Sequence, residues 1–313
     1  MVYTRNIKIL NLTKVLVTGV AGQLGHDVVN ELSKRGFIVL GTDIKNESEL
    51  VNKACWNDYY QCDITDKEQV GLLVNSVKPN AIVHCAAWTN VDGAEDQNNK
   101  PLVKKINVDG TDNLVKAAKT IGAKFLYIST DYVFNGEGTR PWKPDDKDYA
   151  PLNYYGQTKL EGELSVSSQL EKCFIVRIAW VFGLNGNNFI KTMLKLADKG
   201  CKELRVVDDQ IGTPTYTYDL AGLLVDMIQT DKYGYYHATN EGGYISWADF
   251  AEEIFRQANK DVKVNRVTTE EYGVSIAKRP FNSRLDRSKL LENGFKPLPG
   301  WKDALRRYLK EII

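Results

Sequence analysis

Charge of one sign, histidine, paired cysteine and long apolar runs are what these 313 residues lack. Lys and Arg number 41 against 40 Asp and Glu, a formal net charge of +1. No field of one sign therefore argues for nucleic acid or a membrane surface as partner. The chain has 3 histidines and 5 cysteines (Cys55, Cys62, Cys85, Cys173 and Cys201), with no Cys-x-x-Cys pair. That argues against a structural zinc site and a disulfide framework, and fits a reducing compartment; no metal site is expected. No apolar run approaches the roughly 20 residues needed to cross a bilayer. Met1 to Lys14 has no signal-peptide core followed by small residues. The expectation is a cytoplasmic globular protein, monomer or homodimer, long enough for one large domain or two.

What is present is an alternation of strand and helix patterns. Lys14-Val15-Leu16-Val17-Thr18-Gly19 is a β-branched run ending in glycine. Gly22 and Gly25 follow at three-residue spacing and open a helical pattern through Val28, Val29 and Leu32. A second buried run, Phe37 to Asp43, ends in an acid. Strand, glycine turn, helix, strand and acid make a dinucleotide-binding βαβ unit. The glycines let backbone approach a pyrophosphate, whose charge the helix N-terminus favours. Asp43 is placed to accept hydrogen bonds from ribose hydroxyls and to repel a 2′-phosphate, favouring NADH, while Lys45 softens that repulsion and leaves NADPH possible. Further units run through Tyr59–Ile64, Ala81–Ala87, Lys124–Ser129 and Phe174–Ala179. Asp63 suits either an adenine contact or a helix N-cap. His84 reads as packed, and Asn107, unfavourable in mid-helix, as hydrogen-bonded locally. The fold class is α/β, a doubly wound parallel sheet with a smaller C-terminal α/β lobe. Residues 14–183 form the dinucleotide-binding domain, with 217–238 returning to it, and 184–216 with 239–313 form the substrate lobe.

Ser129 to Lys159 carries the chemistry. Thr130 emerges where a buried strand meets solvent, at the carboxyl-end edge used for ligands. Tyr155 and Lys159 stand four apart on one helix face. A phenol beside an ammonium is a proton donor, since the cation favours phenolate and lowers the tyrosine pKa. In the smaller lobe Arg284, with Arg279, suits a diphosphate, because the guanidinium fork pairs two oxygens. The alternative for Arg284 is an ion pair with Asp286.

Thr18-Gly-x-x-Gly-x-x-Gly25, Asn107, Ser129-Thr130-Asp131-Tyr132-Val133-Phe134 and Tyr155-Gly-x-Thr-Lys159 resemble the extended short-chain dehydrogenases/reductases. Four further blocks narrow the resemblance to the dTDP-4-dehydrorhamnose reductase family. They are Ala86-Ala87-x-Thr89-x-Val91-Asp92, Asn187-Asn188-Phe189, Asp209-Gln210-x-Gly212-x-Pro214-Thr215 and Lys278-Arg279-Pro280-x-x-Ser283. The resemblance covers nearly the whole chain from Lys14. It implies reduction of the 4-keto group of a nucleotide-linked 6-deoxyhexose, with Thr130, Tyr155 and Lys159 catalytic. Cofactor contacts are expected at Gly19, Gly22, Gln23, Leu24, Gly25, Asp43, Ile44, Asp63, Ile64, Ala86, Ala87, Thr89, Asn107, Tyr155 and Lys159. Substrate contacts are expected at Thr89, Val91, Thr130, Asp131, Tyr132, Tyr155, Trp180, Asn188, Gln210 and Arg284, although Trp180 also suits a purely structural role. Trp88 departs from the His or Tyr common in the family. Two rival readings are another sugar-nucleotide epimerase or reductase of the superfamily, and a non-catalytic, cofactor-bound regulatory subunit. Asp131-Tyr132 after Thr130, in place of Asp-Glu, disfavours a dehydratase, and the intact Thr130/Tyr155/Lys159 set disfavours the regulatory subunit.

Overall fold

Successive strand residues point to opposite faces, so a strand buried on both sides feeds two apolar layers. The computed structural model describes residues 13–52, 54–273 and 275–313; of the segment before Lys14, only Thr13 lies within them. In β1 (Lys14–Thr18), Val15 and Val17 enter one layer and Leu16 the other, all at 0% exposure. The pattern repeats in β2 (Ile38–Asp43), β3 (Asp58–Gln61), β4 (Ala81–His84), β5 (Lys124–Thr130) and β6 (Cys173–Ile178). These strands and Gly234–His237 form a seven-stranded sheet, in the order Gly234–His237, β6, β5, β4, β1, β2, β3. All of its pairings are parallel. The order reverses between β1 and β4, the switch point beyond whose carboxyl ends open α/β sheets bind ligands.

Helices cover both faces. α1 (Gln23–Lys34) and the helix Thr217–Ile228 pack on the Val15/Val17 layer through Val28, Val29, Leu220 and Leu224. α2 (Lys67–Val77) packs on the other through Val70, Leu73 and Val74. α3 (Lys100–Lys104) passes through a π-helical turn, Lys105–Asp109, into α4 (Gly110–Ile121). α5 (Tyr154–Gln169) starts at Asn153, whose Oδ1 accepts from the Gly156 N–H at 2.8 Å. Such a cap contributes about 1 kcal/mol.

The smaller lobe has its own core, in which Phe250, Ile254, Leu305 and Tyr308 surround Phe182 and Tyr216. Its strands Glu203–Val207 and Lys263–Val267 pair in parallel. The expected boundary at 239 meets an exception, because Leu290, Phe295 and Leu298 pack into the layer beside Val15 and Val17. Tyr236 of the main sheet meets Phe295 edge-on at 5.7 Å. The chain thus returns to the larger body before its last helix, Trp301–Ile312. No helix among the described residues is long and apolar enough to cross a membrane.

Candidate active site

The turn after β1 is shaped for close backbone approach. Gly19 has φ 70°, and a Cβ there would stand 2.6 Å from the Ala86 nitrogen. A Cβ on Gly25 would overlap the Gly19 carbonyl oxygen and lie 2.7 Å from its carbon. α1 opens at Gly22 with no side-chain cap and no acid in its first turn, leaving N–H groups for an anion. Asp43 leans over the turn, its Oδ2 accepting from Ala21 N at 3.0 Å. An acid at the end of β2 beside a glycine cradle fits a dinucleotide, whose ribose hydroxyls and pyrophosphate match those two features. Gln23 is half-buried at the start of α1, and Ile44 is exposed beyond Asp43.

Two expected cofactor contacts turn their side chains elsewhere. Leu24 and Ile64 are buried in the two core layers. Asp63 is not a helix cap. It accepts from Thr65 N at 2.9 Å, while Asp66 caps α2 through Glu68 N and Gln69 N. Beyond β4, Ala86 N donates to Thr18 Oγ1 at 3.2 Å, and Ala87, the exposed Thr89 and the half-buried Val91 line the following loop. Asn107 ties that loop to α5: its Oδ1 accepts from Trp88 N at 2.8 Å and its Nδ2 donates to Thr158 Oγ1 at 3.0 Å. The π-helical turn sets it there. His84, 1% exposed, sits between the hydroxyls of Thr18 and Thr111 at 2.8 and 3.1 Å and is packed, as its sequence context suggests.

The edge of β5 meets α5 because of one glycine. A Cβ on Gly156 would overlap the Tyr132 carbonyl oxygen and lie 3.1 Å from its carbon. This approach sets Tyr155 edge-on to Tyr132, ring centroids 5.9 Å apart, within the environment of Thr130. Thr130 Oγ1 donates to Asp131 Oδ1 at 3.0 Å and accepts from Tyr132 N at 3.2 Å. Asp131 is 2% exposed, and its Oδ2 has no hydrogen-bond partner among the described residues. Burial pushes the Asp131 carboxyl up to about 6, opposed by the hydroxyls of Ser283 and Thr130.

Lys159 is 4% exposed, its Nζ 4.1 Å from the Tyr127 ring centroid. Burial brings its ammonium down to about 7, opposed by Glu163 and Cys85. Tyr155 corrects the expectation drawn from its spacing. Its phenol is raised, first by burial and then by Asp131, with Thr130 opposing. Desolvation disfavours the charged form of both groups, and at Tyr155 the Asp131 carboxylate adds to it.

In the smaller lobe some expected contacts are engaged otherwise. Asn188 caps the helix Phe189–Asp198 through Lys191 N and donates to Gln23 Oε1, Gly183 O and Tyr308 Oη at 3.2, 3.1 and 2.9 Å. It braces the loop against α1 and has no donor left for a substrate. Gln210, 5% exposed, donates to Thr269 Oγ1 at 3.0 Å and serves the lobe's own packing. Arg279 is corrected as a phosphate partner, because Asp92 holds it bidentately at 2.7 and 3.1 Å. Arg284 is half-buried and bonds Asn282 Oδ1 at 3.1 Å. Asp286 is no partner to it, accepting instead from Ser288. Trp180, at φ 51°, stacks on Trp247 with centroids 3.7 Å apart. The residue as a whole is half-buried.

Sequence reasoning missed the Asp92–Arg279 strap, Ser283 beside Asp131, and Glu163. For Glu163 a signal was present: it continues the Tyr155/Lys159 face by one more four-residue step.

A family model described as RmlD substrate binding domain matches residues 13–313. A dTDP-4-dehydrorhamnose reductase of Aggregatibacter actinomycetemcomitans is 40% identical, over 94% of this chain and 98% of that one. The spore coat polysaccharide biosynthesis protein SpsK of Bacillus subtilis is 38% identical, over 96% and 98%. A dTDP-4-dehydrorhamnose reductase structure from Clostridium acetobutylicum superposes with TM-score 0.86 at 42% identity, over 96% and 99% of the two chains. One from Bacillus anthracis, in complex with NADP, gives TM-score 0.86 at 40% identity over the same shares. Since that family model spans nearly the whole chain, the chain belongs to the RmlD substrate binding domain family.

Proposed function

We propose that this protein is a dTDP-4-dehydrorhamnose reductase, which reduces the 4-keto group of dTDP-4-dehydro-L-rhamnose to give dTDP-L-rhamnose. The observation that carries the reading is the cluster at the carboxyl end of β5, where a phenol, a hydroxyl and a buried carboxylate with a free oxygen meet. Asp131 Oδ2 makes no hydrogen bond of good geometry among the described residues, although the Ser283 hydroxyl stands beside the carboxyl; a sugar hydroxyl would be a better-placed donor to it. Relatives at 35–40% identity that carry this reductase's name support the substrate class.

Gly19, Gly22, Gln23 and Gly25 would hold the pyrophosphate of NADH or NADPH, and Asp43 the adenosine ribose. The nicotinamide supplies the hydride for the carbonyl carbon, and the protein supplies geometry and proton. Tyr155 donates its proton to the developing alkoxide. Its raised pKa keeps it in the protonated, donating form. The Thr130 hydroxyl turns from Asp131 to the substrate oxygen, stabilising the charge that develops there, and Asp131 takes a sugar hydroxyl in exchange. Lys159 holds the nicotinamide ribose. Tyr132, Thr89, Val91 and Trp180 shape the sugar pocket, and Arg284 pairs with the diphosphate from the smaller lobe. The larger body comprises 14–183 and 217–238, and the smaller lobe 184–216 and 239–313 apart from its packed-back segment. NADH oxidation with dTDP-4-dehydro-L-rhamnose, followed by identification of dTDP-L-rhamnose, tests the reading. No consumption of either NADH or NADPH by the folded protein would reject it.

A further inference from the structure

α5 carries a third buried functional group beyond Tyr155 and Lys159. Glu163 is 0% exposed, and so is its partner Arg177 on β6. The pair is bidentate, Nε to Oε1 and Nη2 to Oε2, both at 2.8 Å. The rest of the Arg177 fork is spoken for: Nη1 donates to Pro144 O at 3.1 Å, and Nη2 to Tyr149 Oη at 3.0 Å. Neither carboxylate nor guanidinium can swing away to solvent. An ion pair closed off this completely is weak evidence for stability in itself, since an apolar pair of equal volume often does as well. Its place on the helix suggests another use.

Glu163 lies one turn beyond Lys159 on the same face. The titratable groups that face Lys159 are Tyr127 on β5, His84 and Cys85 at the end of β4, and Glu163 on its own helix. Burial keeps the first three neutral near pH 7: the Tyr127 phenol is raised, His84 is brought down to about 3, and the Cys85 thiol is pushed up to about 12. Glu163 is the carboxylate of the set, held bidentately by the guanidinium.

We propose that Glu163, locked by Arg177, is a positioning residue for the reduction: it supplies the buried counter-charge that keeps Lys159 an ammonium at the cofactor ribose. The inference rests on Lys159 acting in the reaction proposed above, so its test has one arm that needs no turnover. In Glu163→Gln, with side-chain-labelled lysine and Lys159→Met for assignment, the NMR titration midpoint of Lys159 should fall, by about 1 to 3 pH units if the loss is that of a close opposite charge. The alkaline limb of kcat/KM for NADH-dependent reduction should fall with it, because that profile reports the free enzyme. Glu163→Asp, which keeps the charge, should leave both nearer wild type than Glu163→Gln does. If Arg177 left unpaired prevents folding, Glu163→Gln/Arg177→Gln is compared with Arg177→Gln alone, and losing the carboxylate should lower the midpoint between those two. A Lys159 midpoint unmoved in the folded variant overturns the inference, as does a midpoint that moves while the kcat/KM limb stays. A wild type without turnover would count against the reductase reading alone, and the NMR arm would still decide the role of Glu163.

Discussion

Gly156→Ala separates catalytic geometry from stability. Gly156 lies in the first turn of α5, and its φ is not in the left-handed region. Alanine is therefore favoured there by helix propensity, by about 1 kcal/mol. The added methyl would overlap the Tyr132 carbonyl oxygen, which is backbone and cannot swing aside. An ordinary carbon–oxygen contact is about 3.3 Å or longer, so α5 must retreat by about 1 Å. Overpacking of this kind costs about 1–3 kcal/mol, leaving a net destabilisation of about 0–2 kcal/mol after propensity. A displacement of about 1 Å at a reacting group, by contrast, costs on the order of 10²-fold in rate. Gly156→Ala should thus lower kcat far more than its Tm suggests. Gly71→Ala in α2, where a Cβ meets nothing within 4 Å, serves as control and should gain about 1 kcal/mol with kcat unchanged. A Gly156→Ala enzyme with kcat within threefold of wild type would refute the claim that this glycine sets Tyr155 against Thr130.

Three further outcomes follow from the same residues. Asp131, raised to about 6 by burial, must be ionised to accept a sugar hydroxyl, so kcat/KM should fall as pH drops through about 6; Asp131→Asn should abolish that limb along with most of the activity. Because the folded carboxyl binds its proton more tightly than the unfolded one, wild-type stability should decline as pH rises from the ordinary carboxylate range through about 6. Asp131→Asn should flatten this dependence in thermal melts, and an unaltered melt profile would exclude Asp131 as its source. Arg284→Ala should raise KM for the sugar nucleotide by about 10- to 150-fold with Tm nearly intact, since no carboxylate among the described residues pairs with Arg284; early melting with KM unchanged would make the residue structural. Asp43→Ala should relax discrimination against NADPH, and an unchanged ratio of specificity constants for the two cofactors would remove Asp43 from the ribose.

The legible parts of this molecule are those written in short-range pattern. Short β-branched and aromatic runs, most of them followed by a helix period, marked the strands of the sheet, and the glycine spacing marked the turn where Gly19 and Gly25 now crowd other backbone. Asn107 announced itself by being a poor helix residue, although the π-helical turn that aims it at Trp88 and Thr158 was not readable. What stayed hidden depends on distant residues meeting. Asp92 neutralises Arg279 across 187 positions, and Tyr308 reaches back 120 positions to occupy Asn188. Neither pairing leaves a trace in local sequence. The direction of the Tyr155 shift was missed for a related reason, because four-residue spacing reports which side chains are neighbours and says nothing of how little water surrounds them.

Single-turnover reduction by Tyr155→Phe, run beside wild type with NADH and dTDP-4-dehydro-L-rhamnose, tests the central claim most directly. The substitution keeps the ring that packs against Tyr132 and removes only the proton donor. Wild type should oxidise one NADH per keto-sugar reduced. Tyr155→Phe should be slower by about 10²-fold or more with NADH affinity within about twofold, as expected when only a transition-state contact is lost. Turnover near the wild-type rate would contradict Tyr155 as the acid and, with it, the mechanism assigned to this edge of the sheet.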